Sequence, residues 1–415
     1  MNLRRNFIQL MSGTFIAQLI SMAATPIISR LYSNSEYGIL VTCTGIVAMV
    51  IPFATLKIEA LILTSSNKEE LNNLVRLAFT SITFSTVCLF IFGIIFSSFG
   101  NELSILKKSL IWVLICILLF SQSAVIIYSQ IILKQKKYIS ISTSGVIQNL
   151  VAFIFQILGA LISASSINLV TGYVGGRFSA LLFLVKSSKT KLNIFSVSTK
   201  SILSTAKEYR SQIKLLVSGS LLDSFANFMP LAVLGYFFTT KSAGIFGMTQ
   251  LIMMFPVTLI GGSLGVIFLA EFNESRIGNK QARAKMIRYF FKNFAPLAFL
   301  YITLTILFAP LLFEKILGEE WADSGKLAVK IAIPNLVFFI WYPFSNVLIP
   351  LKQWRKYFLL NLLRLFLMVI AFTIAVIEEA NWIGMIEALM WANAIGQTIG
   401  IILISRTTKA ISNQI

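Results

Sequence analysis

LAFTSITFSTVCLFIFGIIFSS, residues 77–98, contains no Asp, Glu, Lys or Arg. A helix rising about 1.5 Å per residue needs roughly 20 apolar residues to cross the hydrocarbon core of a bilayer, and this stretch supplies them. Runs of the same kind recur at 7–28, 38–63, 109–129, 140–161, 168–186, 212–237, 243–270, 291–313, 325–350, 357–378 and 382–404. With 77–98 they predict twelve transmembrane helices. An open sheet would leave backbone groups unpaired in lipid, and the two-residue alternation of a barrel is missing, so helices are the expected element. The expected class is therefore an all-α membrane protein.

The composition agrees. Of the 415 residues 57% are hydrophobic and 12% charged, with a mean hydropathy of +0.83. Soluble chains of this size carry about 25% charged residues. The net charge of +19 does not point to nucleic acid, because the basic residues sit in short breaks between apolar runs. Of the 35 Lys and Arg residues, 24 fall on one set of loops, six on the other and five within spans. That asymmetry predicts both termini on the cytoplasmic side.

The longest polar break, 187–211, is basic and lies at mid-chain. It divides the sequence into a six-helix lobe, 1–186, and a second six-helix lobe, 212–404, with a tail at 405–415. An internal repeat supports the division. Ser12-Gly13 recurs as Ser218-Gly219, and Gly38-Ile39 as Gly244-Ile245, both at an offset of 206. Pro26 and Pro230, and Pro52 and Pro256, are offset by 204. Two six-span repeats share one orientation, an arrangement known in transporters. The prolines interrupt the helix ladder and are expected to kink their spans. Gly172-x-x-x-Gly176 and Gly261-x-x-x-Gly265 suit close helix packing. Trp321, Trp341 and Trp382 are expected at the membrane interfaces.

Several chemistries find no residues to run on. The sequence has no histidine. Cys43, Cys88 and Cys116 lie in apolar runs without a CxxC pair, so no metal is expected. Gly325-Lys326 is followed by Leu327 without the earlier glycine of a phosphate-binding loop, which argues against ATP hydrolysis by this chain. The loops are short. The acids Glu314, Glu319, Glu320 and Asp323 read as one solvated loop face.

The informative residues are charges within spans, which are costly in lipid and face a cavity or a partner. They are Lys57, Glu59, Arg177, Lys214, Asp223, Lys330, Arg364 and Glu387. Lys214, Lys330 and Glu387 lie near span ends, where snorkelling suffices. Arg177 and Asp223 lie near mid-span, with Arg364 and Glu59 at intermediate depth. The set is net positive and suits an anionic substrate such as a lipid diphosphate. Structural ion pairs, Arg177 with Asp223 or Arg364 with Glu59, are the competing reading. Lys57 and Glu59, two residues apart on a helix, are not expected to pair with each other.

Ser12-Gly13-Thr14 through Pro26, followed by Arg30-Leu31-Tyr32-Ser33-Asn34-Ser35-Glu36-Tyr37-Gly38, resembles the opening of bacterial O-antigen and polysaccharide flippases (Wzx-type). These belong to the multidrug/oligosaccharidyl-lipid/polysaccharide exporter superfamily. The family loop commonly reads Arg-Leu-Tyr-Ser-Pro-Glu-Glu-Phe-Gly, so Asn34 replaces the proline and Tyr37 the phenylalanine. Leu56-Lys57-Ile58-Glu59-Ala60-Leu61-Ile62 is similar to the family's Arg-Tyr-Glu-Leu-Ala-Ile, and Gly318-Glu319-Glu320-Trp321 to its Gly-x-x-Trp loop. The resemblance implies a MATE-like fold of two lobes around a central cavity, in the bacterial inner membrane. It implies transfer of undecaprenyl diphosphate-linked oligosaccharide from the cytoplasmic to the periplasmic leaflet, without a cofactor. On that reading Arg177, Arg364 and Lys57 meet the substrate, and Asp223 or Glu59 takes a coupling ion or orients a basic neighbour. The partners would be the lipid-linked sugar, membrane lipids and polysaccharide polymerase or chain-length machinery, with no nucleic acid. A small-cation exporter of the MATE type, a membrane-embedded polymerase or ligase of sugar chains, and a non-transporting scaffold are the alternatives.

Overall fold

The computed structural model describes residues 3–63, 65, 67–99, 109–188, 199–261, 280–342 and 353–413. Those residues form helices and short connections, with no strand among them. In chain order the helices are α1 (Leu3–Leu31), α2 (Asn34–Ala54), the single turn α3 (Glu59–Ile62), α4 (Lys68–Phe99), α5 (Ser109–Lys134), α6 (Tyr138–Ile162) and α7 (Ser166–Ser187). Then follow α8 (Thr199–Glu208), α9 (Arg210–Phe237), α10 (Thr240–Pro256), α11 (Lys280–Leu312), α12 (Ala322–Lys330), α13 (Ala332–Trp341), α14 (Trp354–Ile377) and α15 (Trp382–Asn413). Among the described residues eleven helices are long and apolar enough to span a membrane. The predicted span 325–350 is broken. Glu319–Lys330 and Ala332–Trp341 meet at an angle of 65°. The other part of that prediction, 343–350, lies outside the described residues, as does Gly265 of the second glycine pair.

Two compact units emerge. The first comprises 1–224 and 231–244, the second 225–230 and 245–415. Part of the polar break is the helix α8, and it packs against α4. Ala206, Tyr209 and Ile213 rest on a core of Ile58, Leu74, Ile127, Ile131 and Leu184. The Tyr209 hydroxyl donates to the Glu70 carboxylate. That bond, followed by burial, pushes the phenol up to about 12.

Within the first unit, the motif at 33–36 is a helix start. Ser33 Oγ accepts from the Glu36 N–H, and Glu36 Oε2 accepts from the Ser33 N–H at 2.8 Å. This reciprocal cap satisfies two orphan donors at the head of α2. Tyr32 donates to the Gln156 carbonyl at 2.7 Å, tying α1 to α6. The repeat glycines also meet here. A Cβ on Gly38 would lie 1.8 Å from the Thr240 carbonyl oxygen, and one on Gly244 would lie 1.9 Å from that of Asn34. Each glycine faces the residue four before the other, the reciprocal contact a two-fold related pair makes.

Pro26, Pro52 and Pro230 sit inside α1, α2 and α9, and Pro256 ends α10 at a wide π turn, Val257–Gly261. Exposed side chains are mostly apolar, Phe84, Phe92, Ile162 and Phe299 among them, as lipid-facing surfaces require. Trp321 and Trp341 face protein rather than lipid. They are 0% and 3% exposed and pack inside the second unit.

Candidate functional site

The helix carrying Arg177 is pressed against its neighbour. Gly172 and Gly176 of α7 leave no room for a Cβ. One at Gly172 would lie 2.8 Å from the Gln156 nitrogen, and one at Gly176 would lie 2.4 Å from the Gln148 oxygen. This approach brings Gln148 of α6 to Arg177. Gln148 Oε1 accepts from Arg177 Nη1 at 2.7 Å. One turn earlier on α7, the Tyr173 hydroxyl accepts from Nη2 at 3.0 Å, and the guanidinium lies 5.4 Å from the Tyr173 ring centroid. The Nε–H of Arg177 is shielded and has no partner. Gln148 is itself held. Its Nε2 donates to Asn149 Oδ1 at 3.2 Å, and Asn149 donates to the Ala17 carbonyl at 2.6 Å. Among the described residues Arg177 forms no ion pair. Asp223 is half-buried on α9 and is not its partner. Arg177 is thus a half-buried cation within a span, held by two neutral oxygens.

Arg364 is seated differently. It is 0% exposed. Its Nε and Nη2 donate to Asn393 Oδ1 at 3.2 and 2.9 Å, Nη1 donates to Asn361 at 2.9 Å, and Nη2 donates to Asn227 at 2.9 Å. Its guanidinium carbon lies 5.9 Å from the Trp341 ring centroid. Gly396 makes room, since a Cβ there would lie 2.6 Å from Arg364 Cγ. The amides are side chains that the sequence reading passed over. The signal was present as Gln148-Asn149, Asn361 and Asn393 inside otherwise apolar runs, and as a further spaced glycine pair, Gly396 and Gly400.

The Lys57 and Glu59 pairing is a correction. Lys57 Nζ lies 3.4 Å from Glu59 Oε1. The expectation assumed a continuous helix, but the chain leaves the helix after Ala54. Leu56 and Lys57 take φ values of 50° and 54°, which swings the two side chains to one side. Such a left-handed pair of non-glycine residues costs on the order of 1–3 kcal/mol each and persists only where its surroundings impose it. Glu59 Oε2 is shielded and unpartnered. Lys330 and Glu387 also do more than snorkel, pairing with each other at 2.8 Å. The loop acids are exposed, and Asp323 pairs with Lys326 at 3.1 Å. Among the described residues no cluster could hold a metal ion.

The sequence profile of a family described as "Polysaccharide biosynthesis protein" matches residues 27–326. Comparison with curated proteins finds no match. Among solved structures, "Lipid II flippase MurJ, inward closed conformation" is similar with a TM-score of 0.75 at 14% identity, over 97% of this chain and 87% of that one. A eukaryotic MATE transporter, AtDTX14, is similar with a TM-score of 0.60 at 14% identity, over 98% and 96%. A multidrug resistance MATE family transporter of the MOP superfamily, inward-facing, gives 0.57 at 15% identity, over 99% and 96%. The fold is therefore the MurJ/MATE-like one, and the family match spans most of the chain from the end of α1 into α12: the protein belongs to the polysaccharide biosynthesis protein family.

Proposed function

We propose that the protein is a flippase that carries a polyprenyl diphosphate-linked oligosaccharide, such as an O-antigen or other surface polysaccharide repeat unit, from the cytoplasmic to the periplasmic leaflet. The observation that carries the reading is Arg177. It lies half-buried at mid-span, held by the neutral oxygens of Gln148 and Tyr173, and pairs with no carboxylate among the described residues. A diphosphate offers several acceptor oxygens to such a group, and charge-assisted bonds to a guanidinium are the strong ones. The family membership supplies the polysaccharide context. The likeness to a lipid II flippase supplies a fold used for a lipid-linked substrate.

In this reading the protein transports and catalyses no covalent step. Arg177 attracts the diphosphate while the lipid tail stays in the bilayer. Alternating access moves the head group between leaflets. Lys57 and Glu59 hold one another, and Glu59 Oε2 is the acceptor left for a coupling ion; Asp223 is the second acid for that role. Arg364, with its donors taken by three asparagines, holds helices of the second unit together. A MATE-type exporter of small cations shares the fold, but a guanidinium held by neutral oxygens repels its substrate.

The test is the sidedness of the lipid-linked oligosaccharide in inverted vesicles with and without the protein. Protein-dependent movement into the lumen is expected. Its absence, with folded protein and native substrate both present, would contradict the flippase.

A further inference from the structure

Gln148 and Arg177 are separated by 29 residues, and so are Arg364 and Asn393. Gln148 and Arg364 occupy corresponding helices of the two repeats, α6 and α14. Arg177 and Asn393 occupy the next pair, α7 and α15. Both pairs of equivalents are offset by 216 residues. The same helix-to-helix bridge is thus made in each half with its ends exchanged, and in each half the acceptor is a carboxamide. This chain does use carboxylates for cations. Lys57 pairs with Glu59, Lys326 with Asp323 and Lys330 with Glu387. For Arg177 a carboxylate would bind more strongly, because a charge-assisted hydrogen bond is roughly twice a neutral one. An amide holds the guanidinium in place without cancelling its charge.

We infer that Gln148 is a specificity-determining positioning residue: its neutral carboxamide aims the Arg177 guanidinium and leaves its charge for the diphosphate. The inference rests on the flippase reading of Arg177 and deepens it. The amide's orientation is set by its neighbours. Nε2 is engaged by Asn149, which is anchored to the α1 backbone, so Oε1 is the end that meets Arg177. Tyr173 closes the other side with another neutral oxygen and a ring face. Among the described residues no carboxylate pairs with Arg177.

The experiment compares Gln148→Glu, Gln148→Met and the wild type, each as full-length protein in detergent, for affinity to farnesyl diphosphate, with farnesol as the uncharged control. Thermal midpoints and flipping in vesicles are followed on the same samples. A purely structural hydrogen bond predicts that Gln148→Glu, which still accepts from Arg177, performs better than Gln148→Met, which does not. Retained neutrality predicts the reverse order. We expect Gln148→Glu to bind the diphosphate about tenfold or more weakly than wild type, with a flatter salt dependence. Gln148→Met should lose less. Both should stay folded, since one keeps the bond and the other conserves volume. Binding by Gln148→Glu equal to or above that by Gln148→Met overturns the inference. Wild-type protein that prefers farnesyl diphosphate no more than farnesol overturns it too. Binding in the expected order without flipping leaves the role of Gln148 standing and removes the flippase.

Discussion

The seats of Arg177 and Arg364 are built from the same parts and end in opposite states. Each places a guanidinium between two neighbouring helices, takes an amide oxygen from the adjoining helix, rests against an aromatic ring and relies on a glycine for the close approach. Around Arg364 three asparagines close in until the group is sealed. Around Arg177 one glutamine and one tyrosine hold it, and the group stays half-open with a donor unspent. The difference teaches how a buried cation is divided between architecture and ligand. Saturation by neutral oxygens makes a cation structural. Partial satisfaction without a countercharge makes it available.

The largest effect expected from this contrast is on Arg364. Arg364→Ala leaves three amide oxygens facing a void, and loss of about 3 kcal/mol or more follows from unpaired buried groups. Thermal unfolding in detergent should register it as a large fall in midpoint. Gly396→Ala tests the same seat from the other side. A methyl group 2.6 Å from Arg364 Cγ forces a shift that costs about 1–3 kcal/mol, read by the same melt. Arg177→Ala should do the opposite, moving stability by only about 1 kcal/mol while cutting transport about tenfold or more. Arg177→Lys keeps the charge and should retain part of the transport, whereas Arg364→Lys cannot reach three acceptors from one ammonium and should melt early. The smallest effect belongs to Lys330→Ala. Its pair with Glu387 has side chains 51% and 32% exposed, so the change should stay within about 1 kcal/mol.

Much of this was readable from the chain. Hydropathy alone located the spans, because a membrane helix is nearly its own domain and carries its signal in about 20 consecutive residues. It failed where the backbone departs from a helix without a change of composition. The left-handed residues Leu56 and Lys57 are neither glycine nor asparagine, and Pro52, two residues before the end of α2, was the one local signal of the break. The bend between α12 and α13 falls at Ile331, between Lys330 and Pro334, inside what hydropathy alone reads as one span. The helix α8 was hidden for the opposite reason, since its polar sequence reads as loop and only packing on α4 gives it a place. Arg177 and Arg364 were visible as charges at depth. Which of them is sealed was not, because that depends on Asn227, Asn361 and Asn393 arriving from three helices.

The measurement closest to the central claim is the rate at which polyprenyl diphosphate-linked oligosaccharide crosses the bilayer of proteoliposomes holding equal amounts of folded wild-type and Arg177→Ala protein. Transfer by the wild type is expected, with a rate lower by about tenfold or more for the variant and thermal midpoints nearly unchanged. Equal rates for the two proteins would contradict it.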